Sequence, residues 1–246
     1  MSNIKTITAI TRSIDPAIAA QELRQQLSNP HITFVLFYCS SVYSLQRLAS
    51  NMASAFEGVD LVGCTTAGEI TPNGYEQHSI IAIGFSASYF AISTQIVESM
   101  ENFTLIDAQE TINKLTENCY VKKLAAIKNN SFLLTLLDGL SADEEQFLVT
   151  LNSASGGIPH FGGSAGDDIH LATTHVFYQG SFYQNAAIVL MVNTPCAFEV
   201  FSCNHIKYPT SKVVVTAADA DSRTVFELNA EPAALEYARL LNVAVG

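Results

Sequence analysis

A glycine-rich stretch occurs twice in this chain and limits its fold more than any other feature. The longer copy, Phe161 to Asp168, has three glycines, two small residues and two adjacent carboxylates between apolar segments. The shorter copy, Gly63 to Glu69, also runs from glycine through small residues to Ala-Gly and a carboxylate. Glycine permits positive φ and close approach to the main chain, so consecutive N–H groups can converge on one ligand atom. We therefore interpret the two stretches as counterparts in a repeated architecture.

The elements around the two stretches follow the same order. Continuous apolar runs over residues 32–38 and 131–137 predict buried strands. Each is followed by a Ser-capped helix, a short strand, the Ala-Gly-acid loop and further strands. This repetition predicts an α/β fold of two similar units with mixed, mostly buried sheets and an approximate internal two-fold repeat. The two loops would then meet in one shared site.

Helix starts are predicted from capping residues. Asp15 followed by Pro16 favours a helix start, because Asp caps the N-terminus and proline fits the first turn. Ser40 and Ser41 are predicted to cap the next helix. Ser141 with Glu144 forms the pattern of a capping box for the corresponding helix of the second unit.

The predicted domains are residues 1–128 for the first α/β unit, 129–209 for the second and 210–246 for a third portion. This last portion contains two predicted strands and a helix that begins at Glu231-Pro232. The sequence stops at Gly246, soon after that helix. We expect a third unit that is cut off.

Composition excludes several classes of partner. The net charge of −11 disfavours nucleic acid and anionic membranes. No apolar run approaches the roughly 18 residues that span a bilayer, and the N-terminus lacks the features of a secretory signal. The expected location is therefore cytoplasmic. Only 14% of residues are charged, against about 25% on average, which favours a large buried interface such as that of a homo-oligomer.

The cysteines indicate neither disulfides nor zinc. The odd count of five and the lack of a C-x-x-C pattern disfavour a disulfide framework and a zinc ribbon. Buried free thiols are the simplest interpretation for four of them. Cys64 stays open because it belongs to the shorter glycine stretch.

Three motifs, taken in order, resemble the FIST sensory domain family. They are Val62-Gly63-Cys64-Thr65-Thr66-Ala67-Gly68-Glu69-Ile70, then Phe161-Gly162-Gly163-Ser164-Ala165-Gly166-Asp167-Asp168 with Val176-Phe177-Tyr178 after it, and then Val215-Thr216 through Glu227-Leu228-Asn229 to Glu231-Pro232-Ala233. The resemblance covers almost the whole chain. The sequence ends near the start of the C-terminal FIST portion, so a ligand held between the two portions would lack its second wall.

The resemblance implies a bacterial sensory module in signal transduction. Such domains are attached to, or encoded beside, histidine kinases, cyclic-di-GMP enzymes (diguanylate cyclases or phosphodiesterases) and chemoreceptors. One branch, the NosP proteins, binds haem and reports nitric oxide, and small ligands such as amino acids are proposed for others. The function expected here is therefore haem-based nitric-oxide sensing or small-ligand sensing that regulates such an enzyme.

The residues themselves favour binding over catalysis. Hydroxyl and loop N–H groups can receive a carboxylate, and side-chain carboxylates can receive an ammonium group, which together suit an amino acid. Glycine loops also form plain tight turns, and Asp also caps neighbouring elements, so a structural role stays open for each residue. The predicted ligand-binding residues are Cys64, Thr65, Thr66, Gly68, Glu69, Gly163, Ser164, Ala165, Gly166, Asp167 and Asp168.

Haem requires an axial ligand, usually His, Cys, Met or Tyr. His160, beside the glycine stretch, and His205, near Ile206, are the axial-ligand candidates, with Tyr208 and Cys64 as weaker alternatives. A purely structural role for each histidine also stays open.

Enzyme templates find little support. The sequence contains no G-x-S-x-G, H-E-x-x-H or G-x-x-x-x-G-K-[ST] motif and no G-x-G-x-x-G that opens a helix. We expect no enzymatic activity. The alternative is a Cys-dependent amide or ester hydrolase in which Cys64 is the nucleophile and a histidine such as His160 is its base.

Overall fold

The computed structural model describes residues 5–168, 170–201, 212–220 and 222–244, and it divides into two compact units between residues 201 and 202. The first unit contains one series of elements twice. The first series is β1 (Thr6–Thr11), α1 (Pro16–Gln26), β2 (Ile32–Ser40), α2 (Leu45–Ala55), β3 (Asp60–Thr66), β4 (Glu69–Thr71), β5 (Gly74–Glu76) and β6 (Ile80–Ser86). The second is β7 (Ala91–Val97), α3 (Leu105–Val121), β8 (Ser131–Leu137), α4 (Glu144–Ala154), β9 (His160–Ser164), β10 (Val176–Tyr178), β11 (Ser181–Tyr183) and β12 (Ala187–Asn193).

The sheets repeat as the elements do. One six-stranded sheet has the order β1-β6-β2-β3-β10-β11, and one four-stranded sheet has the order β7-β12-β8-β9. β2 pairs in parallel with β3, and β8 pairs in parallel with β9, whereas the other pairs in these two sheets are antiparallel. The prediction of two similar α/β units with mixed sheets is confirmed.

The strand order divides the halves at a different place from residue 128. β7 and α3 belong to the second sheet and its helix layer, where they correspond to β1 and α1 of the first half. The second half therefore begins at β7, before the boundary expected from the sequence. The two sequence motifs start only at β2 and β8, so they do not reveal the strand and helix that precede them.

Three hydrophobic cores give the first unit four layers. Helices α1 and α2 cover the outer face of the first sheet, where residues such as Leu23 and Met52 pack against Phe37. Helices α3 and α4 cover the outer face of the second sheet in the same way. The third core lies between the two sheets, so both sheets are buried on both faces, as their apolar strands require.

Helix starts agree only partly with the capping predictions. Asp15 caps α1 by accepting hydrogen bonds from the N–H groups of Ala17 and Ile18, as predicted. The predicted capping box at Ser141 is wrong, because α4 begins at Glu144 and Ser141 Oγ donates to Asn185 Oδ1 instead. Helix α2 likewise begins later than predicted, at Leu45.

Among its described residues, the second unit is a small antiparallel sheet with one helix. It consists of β13 (Val215–Asp219), β14 (Thr224–Leu228), β15 (Glu231–Pro232) and α5 (Ala233–Leu241). Its helix follows the predicted Glu231-Pro232 start. Across the described part of the chain, no helix has both the length and the apolar character needed to cross a membrane.

Candidate functional site

The two glycine stretches meet in the folded chain. Gly166 N–H donates to the Thr65 carbonyl oxygen at 2.9 Å, and Asp168 N–H donates to the Thr66 carbonyl oxygen at 3.2 Å. A Cβ on Gly166 would lie 2.7 Å from the Ala67 nitrogen, so the two main chains approach too closely for a side chain there. The contact between the stretches is therefore made by backbone against backbone.

Two of the predicted carboxylates bind their own loops. Asp167 is buried and accepts hydrogen bonds from the N–H groups of residues 171–173. Glu69 is buried and accepts from Thr66 Oγ1 and from Ser79 Oγ, both at 2.6 Å. The backbone N–H groups of residues 171–173 hold the pKa of Asp167 below its ordinary value. Both carboxylates stabilise the loops, and their oxygens are already occupied.

Asp168 has a different environment. Its φ of 59° lies in the left-handed region, and its Oδ2 accepts from Ser41 Oγ at 2.7 Å and Ser40 Oγ at 3.3 Å. Its Oδ1 is buried and has no hydrogen-bond partner among the described residues. Among the three predicted carboxylates, Asp168 thus has an acceptor atom that remains open.

Three other residues predicted to bind a ligand instead fix the positions of neighbouring segments of the chain. Thr65 joins β3 to the segment before β10, because its Oγ1 accepts from His175 N–H at 3.0 Å. Ala165 is buried and its N–H donates to the Leu137 carbonyl oxygen. Gly68 has a φ of 132°, and a Cβ there would overlap the Tyr75 hydroxyl. These residues form the frame of the site rather than its surface.

A small cavity of about 190 Å³ lies between the two sheets, beside β9. It brings together four of the predicted residues, Cys64, Thr66, Gly163 and Ser164. The other lining residues are Tyr38 from the first sheet and Leu134, Thr135, Leu136, Phe161 and Gly162 from the second. No prediction covered Tyr38, Leu134 or Leu136, although the alternation of side chains along β2 and β8 could have placed them on one face.

The lining of this cavity carries no formal charge. Burial raises the pKa of the Cys64 thiol to about 12 and also raises the pKa of the Tyr38 hydroxyl, so both groups are neutral at pH 7. Thr66 Oγ1 donates towards the Glu69 carboxylate at 2.6 Å, and Ser164 Oγ donates to Glu144 Oε1 at 2.5 Å. The cavity therefore offers apolar walls with a few neutral polar groups.

A larger cavity of about 670 Å³ lies on the opposite face of β9, against α4. His160 lines it, with its Nε2 3.0 Å from Thr135 Oγ1, and burial lowers the pKa of the imidazole. Leu148, Val149 and Glu144 of α4 form the other wall. The other axial-ligand candidate, His205, and its alternative Tyr208 lie outside the described residues.

Cys64 and His160 belong to different cavities. Cys64 faces the cavity between the sheets, whereas His160 faces the cavity beneath α4. Among the residues that the structure describes, no three His, Cys, Asp or Glu side chains are grouped so that they could hold a metal ion.

Both glycine stretches fall within the profile of a known protein family. The profile of the FIST N domain family matches residues 33–231, which include both glycine stretches. The chain belongs to the FIST family. FIST domains are sensory domains that occur in signalling proteins.

Two further similarities are weaker. An uncharacterized protein of Methanocaldococcus jannaschii is 24% identical over 185 residues, which are 74% of this chain and 35% of that protein. The chain thus spans about a third of the length of the curated relative that it matches. A solved structure of a cyanuric acid hydrolase, described as an innovation by structural concatenation, is 9% identical and has a TM-score of 0.39 over 77% of this chain and 68% of that one.

Proposed function

We propose that this FIST chain is a non-enzymatic sensory module whose ligand is a small, net-neutral molecule bound in the 190 Å³ cavity. The observation that carries the proposal is that both halves of the repeat line this cavity, with Cys64 and Thr66 on one side and Gly163 and Ser164 on the other. A ligand there contacts both sheets at once. Its binding can therefore favour one arrangement of the two halves over another, which is the requirement for a signal.

The cavity dimensions and chemistry limit the ligand. At roughly 30 Å³ per water molecule, the volume corresponds to about six waters and lies below the range of about 300 Å³ and more of sites for drug-sized ligands. The lining residues are uncharged, and Leu134, Leu136 and Phe161 make much of the wall apolar. A small amino acid brings no net charge into this lining, and its ammonium and carboxylate groups would depend on the polar groups of Tyr38, Cys64 and Thr66 for hydrogen bonds.

Two observations support binding over hydrolysis. Burial that raises the pKa of Cys64 to about 12 leaves very little thiolate at pH 7, and the thiolate is the nucleophilic form. His160, the base proposed for Cys64, lies on the other face of β9. The alternative of a Cys64 amide or ester hydrolase therefore lacks the activated nucleophile that it requires.

Haem binding with nitric-oxide sensing, as in the NosP branch, is the second candidate. The favouring observation is the half-buried imidazole of His160, whose lowered pKa keeps it neutral and able to ligate, in a cavity of about 670 Å³. The lining fits haem incompletely for two reasons. His160 Nε2 is already hydrogen-bonded to Thr135. The lining also contains the carboxylate of Glu144 and no Lys or Arg that could pair with the haem propionates. A one-to-one Soret band on haemin titration, lost in His160→Ala, would establish this candidate over the first.

The expected signalling partner is a histidine kinase or a cyclic-di-GMP enzyme, namely a diguanylate cyclase or a phosphodiesterase. The support for this part of the proposal is family membership, since FIST domains occur in signalling proteins. The net charge of −11 supports protein and small-molecule partners over nucleic acid.

The test uses a variant that fills the cavity. Gly163 lies opposite Leu136, whose side chain lies in the core between the sheets, and a Cβ on Gly163 would meet no atom within 4 Å. Gly163→Val should therefore occupy the ligand volume without a backbone clash. The matched control is Thr6→Val, a valine at an exposed position of β1.

The twenty amino acids are the probes, and isothermal titration calorimetry with thermal unfolding is the readout. We expect at least one small amino acid to bind the wild type and Thr6→Val, and to bind Gly163→Val at least tenfold more weakly. Equal binding by Gly163→Val and the control would refute this location for the ligand.

A further inference from the structure

One edge of the second sheet has no neighbouring strand among the described residues. Within the described part of the chain, β9 pairs with β8 alone, whereas its counterpart β3 pairs with β2 on one side and β10 on the other. Residues 161–164 of β9 are exposed. An unpaired edge of this kind presents a row of N–H and C=O groups to which another strand can add.

The strand that covers β3 comes from the other half of the repeat. The β10–β11 hairpin follows β9 in the chain, yet it adds to β3 with Phe177 opposite Gly63. Phe177 is fully buried, and its ring centroid lies 5.0 Å from that of Phe37 and 5.1 Å from that of Phe182, its cross-strand partner. The hairpin thus closes the first sheet with an apolar pair that packs on the helix side.

The first half contains an equivalent hairpin, which has no such partner among the described residues. β4–β5 has three-residue strands and a two-residue turn, as β10–β11 does. Its middle pair is Ile70 opposite Tyr75, and these residues are 81% and 63% exposed. In the part of the chain that the structure describes, β4 and β5 pair only with each other. Ile70 and Tyr75 thus form an exposed cross-strand pair at the position in β4–β5 that corresponds to the buried Phe177 and its partner Phe182 in β10–β11.

The edge of β9 has the shape that receives such a hairpin. In the second half, Gly162 of β9 lies opposite Thr135 of β8, and in the first half Gly63 of β3 lies opposite Phe37 of β2. At each of these glycines a Cβ would overlap the carbonyl oxygen of the residue opposite. The 670 Å³ cavity lies between β9 and α4, with Leu148 in its wall. In the first half, the corresponding space between β3 and α2 contains Phe177. The 670 Å³ cavity therefore corresponds to the space that Phe177 occupies in the first half.

We propose that β9 and the 670 Å³ cavity receive the β4–β5 hairpin of a second copy of this chain. By analogy with Phe177 and Gly63, Ile70 of the incoming hairpin lies opposite Gly162 and packs towards α4. Both components of the contact are present in one chain. Ala67 and Gly68 are the only residues between β3 and β4, so this short link keeps the hairpin beside its own sheet, and donor and acceptor belong to different copies.

Such a contact is head-to-tail, because the donor and acceptor surfaces differ. Repetition of the contact produces a closed ring or an open chain of copies. The incoming hairpin would also fix β9, whose other face lines the 190 Å³ cavity. Assembly and ligand occupancy would then act on the same strand.

Two surface variants test the donor and the acceptor separately. Ile70→Lys places a charge on the exposed hairpin, and Val149→Lys places one on α4 at the cavity, where Val149 is 57% exposed. The matched controls are Ile106→Lys and Val121→Lys on α3, at positions that are 72% and 69% exposed. All four positions are exposed, so the variants are expected to fold.

Sedimentation velocity over a range of protein concentrations measures the assembly. We expect the wild type and both controls to associate as concentration rises, and each test variant to associate at least tenfold more weakly because a buried apolar contact is lost. An equimolar mixture of Ile70→Lys and Val149→Lys should form a one-to-one pair, because one copy keeps an intact β9 site and the other an intact hairpin.

Three results would overturn the proposal. The first is a wild type that remains monomeric at the highest concentration reached, which would assign the β9 edge to an occupant other than a second copy. The second is association of the test variants equal to that of the controls. The third is a mixture that does not recover association, which would exclude a head-to-tail contact.

Discussion

Replacing each of two adjacent glycines by alanine should affect stability differently, although both belong to β9. A Cβ on Gly162 would overlap the Oγ1 and carbonyl oxygen of Thr135 on the neighbouring strand, whereas a Cβ on Gly163 would meet no atom within 4 Å. Relief of the first overlap requires movement of β9 away from β8, because a backbone atom blocks it. We expect Gly162→Ala to lower the free energy of unfolding by about 3 kcal/mol, the upper end of the usual cost of overpacking.

Gly163→Ala should be neutral or stabilise the chain by up to about 1 kcal/mol, because alanine reduces the entropy of the unfolded state. Urea unfolding monitored by circular dichroism measures both variants against the wild type. With a slope of about 3 kcal/mol/M, the midpoint of Gly162→Ala should fall by about 1 M and that of Gly163→Ala should stay or rise. Equal midpoints for the two variants would refute the close-approach explanation for Gly162.

Two further predictions concern groups inside the candidate site. Asp167→Asn should lower the thermal midpoint at pH 6, because the loop N–H groups lose a charged acceptor. The pKa of Asp167 is lower in the folded state than in the unfolded state. The stability that the carboxylate contributes is therefore complete above the unfolded pKa of about 3.9 and is lost as pH falls through the lower folded value. The difference between wild type and variant, followed by thermal melts from pH 6 to pH 2.5, should therefore shrink below about pH 4, and a difference that grows there would contradict the assignment. Cys64 should react with iodoacetamide at pH 7 more slowly than the half-buried Cys196, because burial raises its pKa to about 12; peptide mapping that found Cys64 labelled first would revive the hydrolase alternative.

The sequence predicts those features that depend on neighbouring residues. The Asp15-Pro16 helix start is one, because the cap and its N–H donors lie within three residues of each other. The apolar runs of β2 and β8 are another, because a strand covered on both faces needs apolar residues at successive positions. The recurrence of these elements was sufficient to predict two similar α/β units.

Features that depend on distant contacts or on the conformation of a loop were predicted less well. Ser141 has the pattern of a cap, but its hydroxyl bonds Asn185 on a segment far along the chain. Asp167 has the pattern of a ligand-binding carboxylate, yet the folded loop supplies its donors at residues 171–173. The 190 Å³ cavity depends on how two sheets pack, so the alternation of side chains could place Tyr38 and Leu134 on one face of β2 and of β8 but could not show that they line one cavity.

The most direct test of the proposed function is the location of a bound amino acid by methyl NMR of leucine-labelled protein. Leu134 and Leu136 line the cavity between the sheets, and Leu148 lines the cavity beneath α4 on the other face of β9. We predict that the amino acid found by calorimetry shifts the methyl resonances of Leu134 and Leu136 and leaves those of Leu148 unchanged. Shifts confined to Leu148 would contradict the account, because they would place the ligand outside the space that both halves of the repeat share.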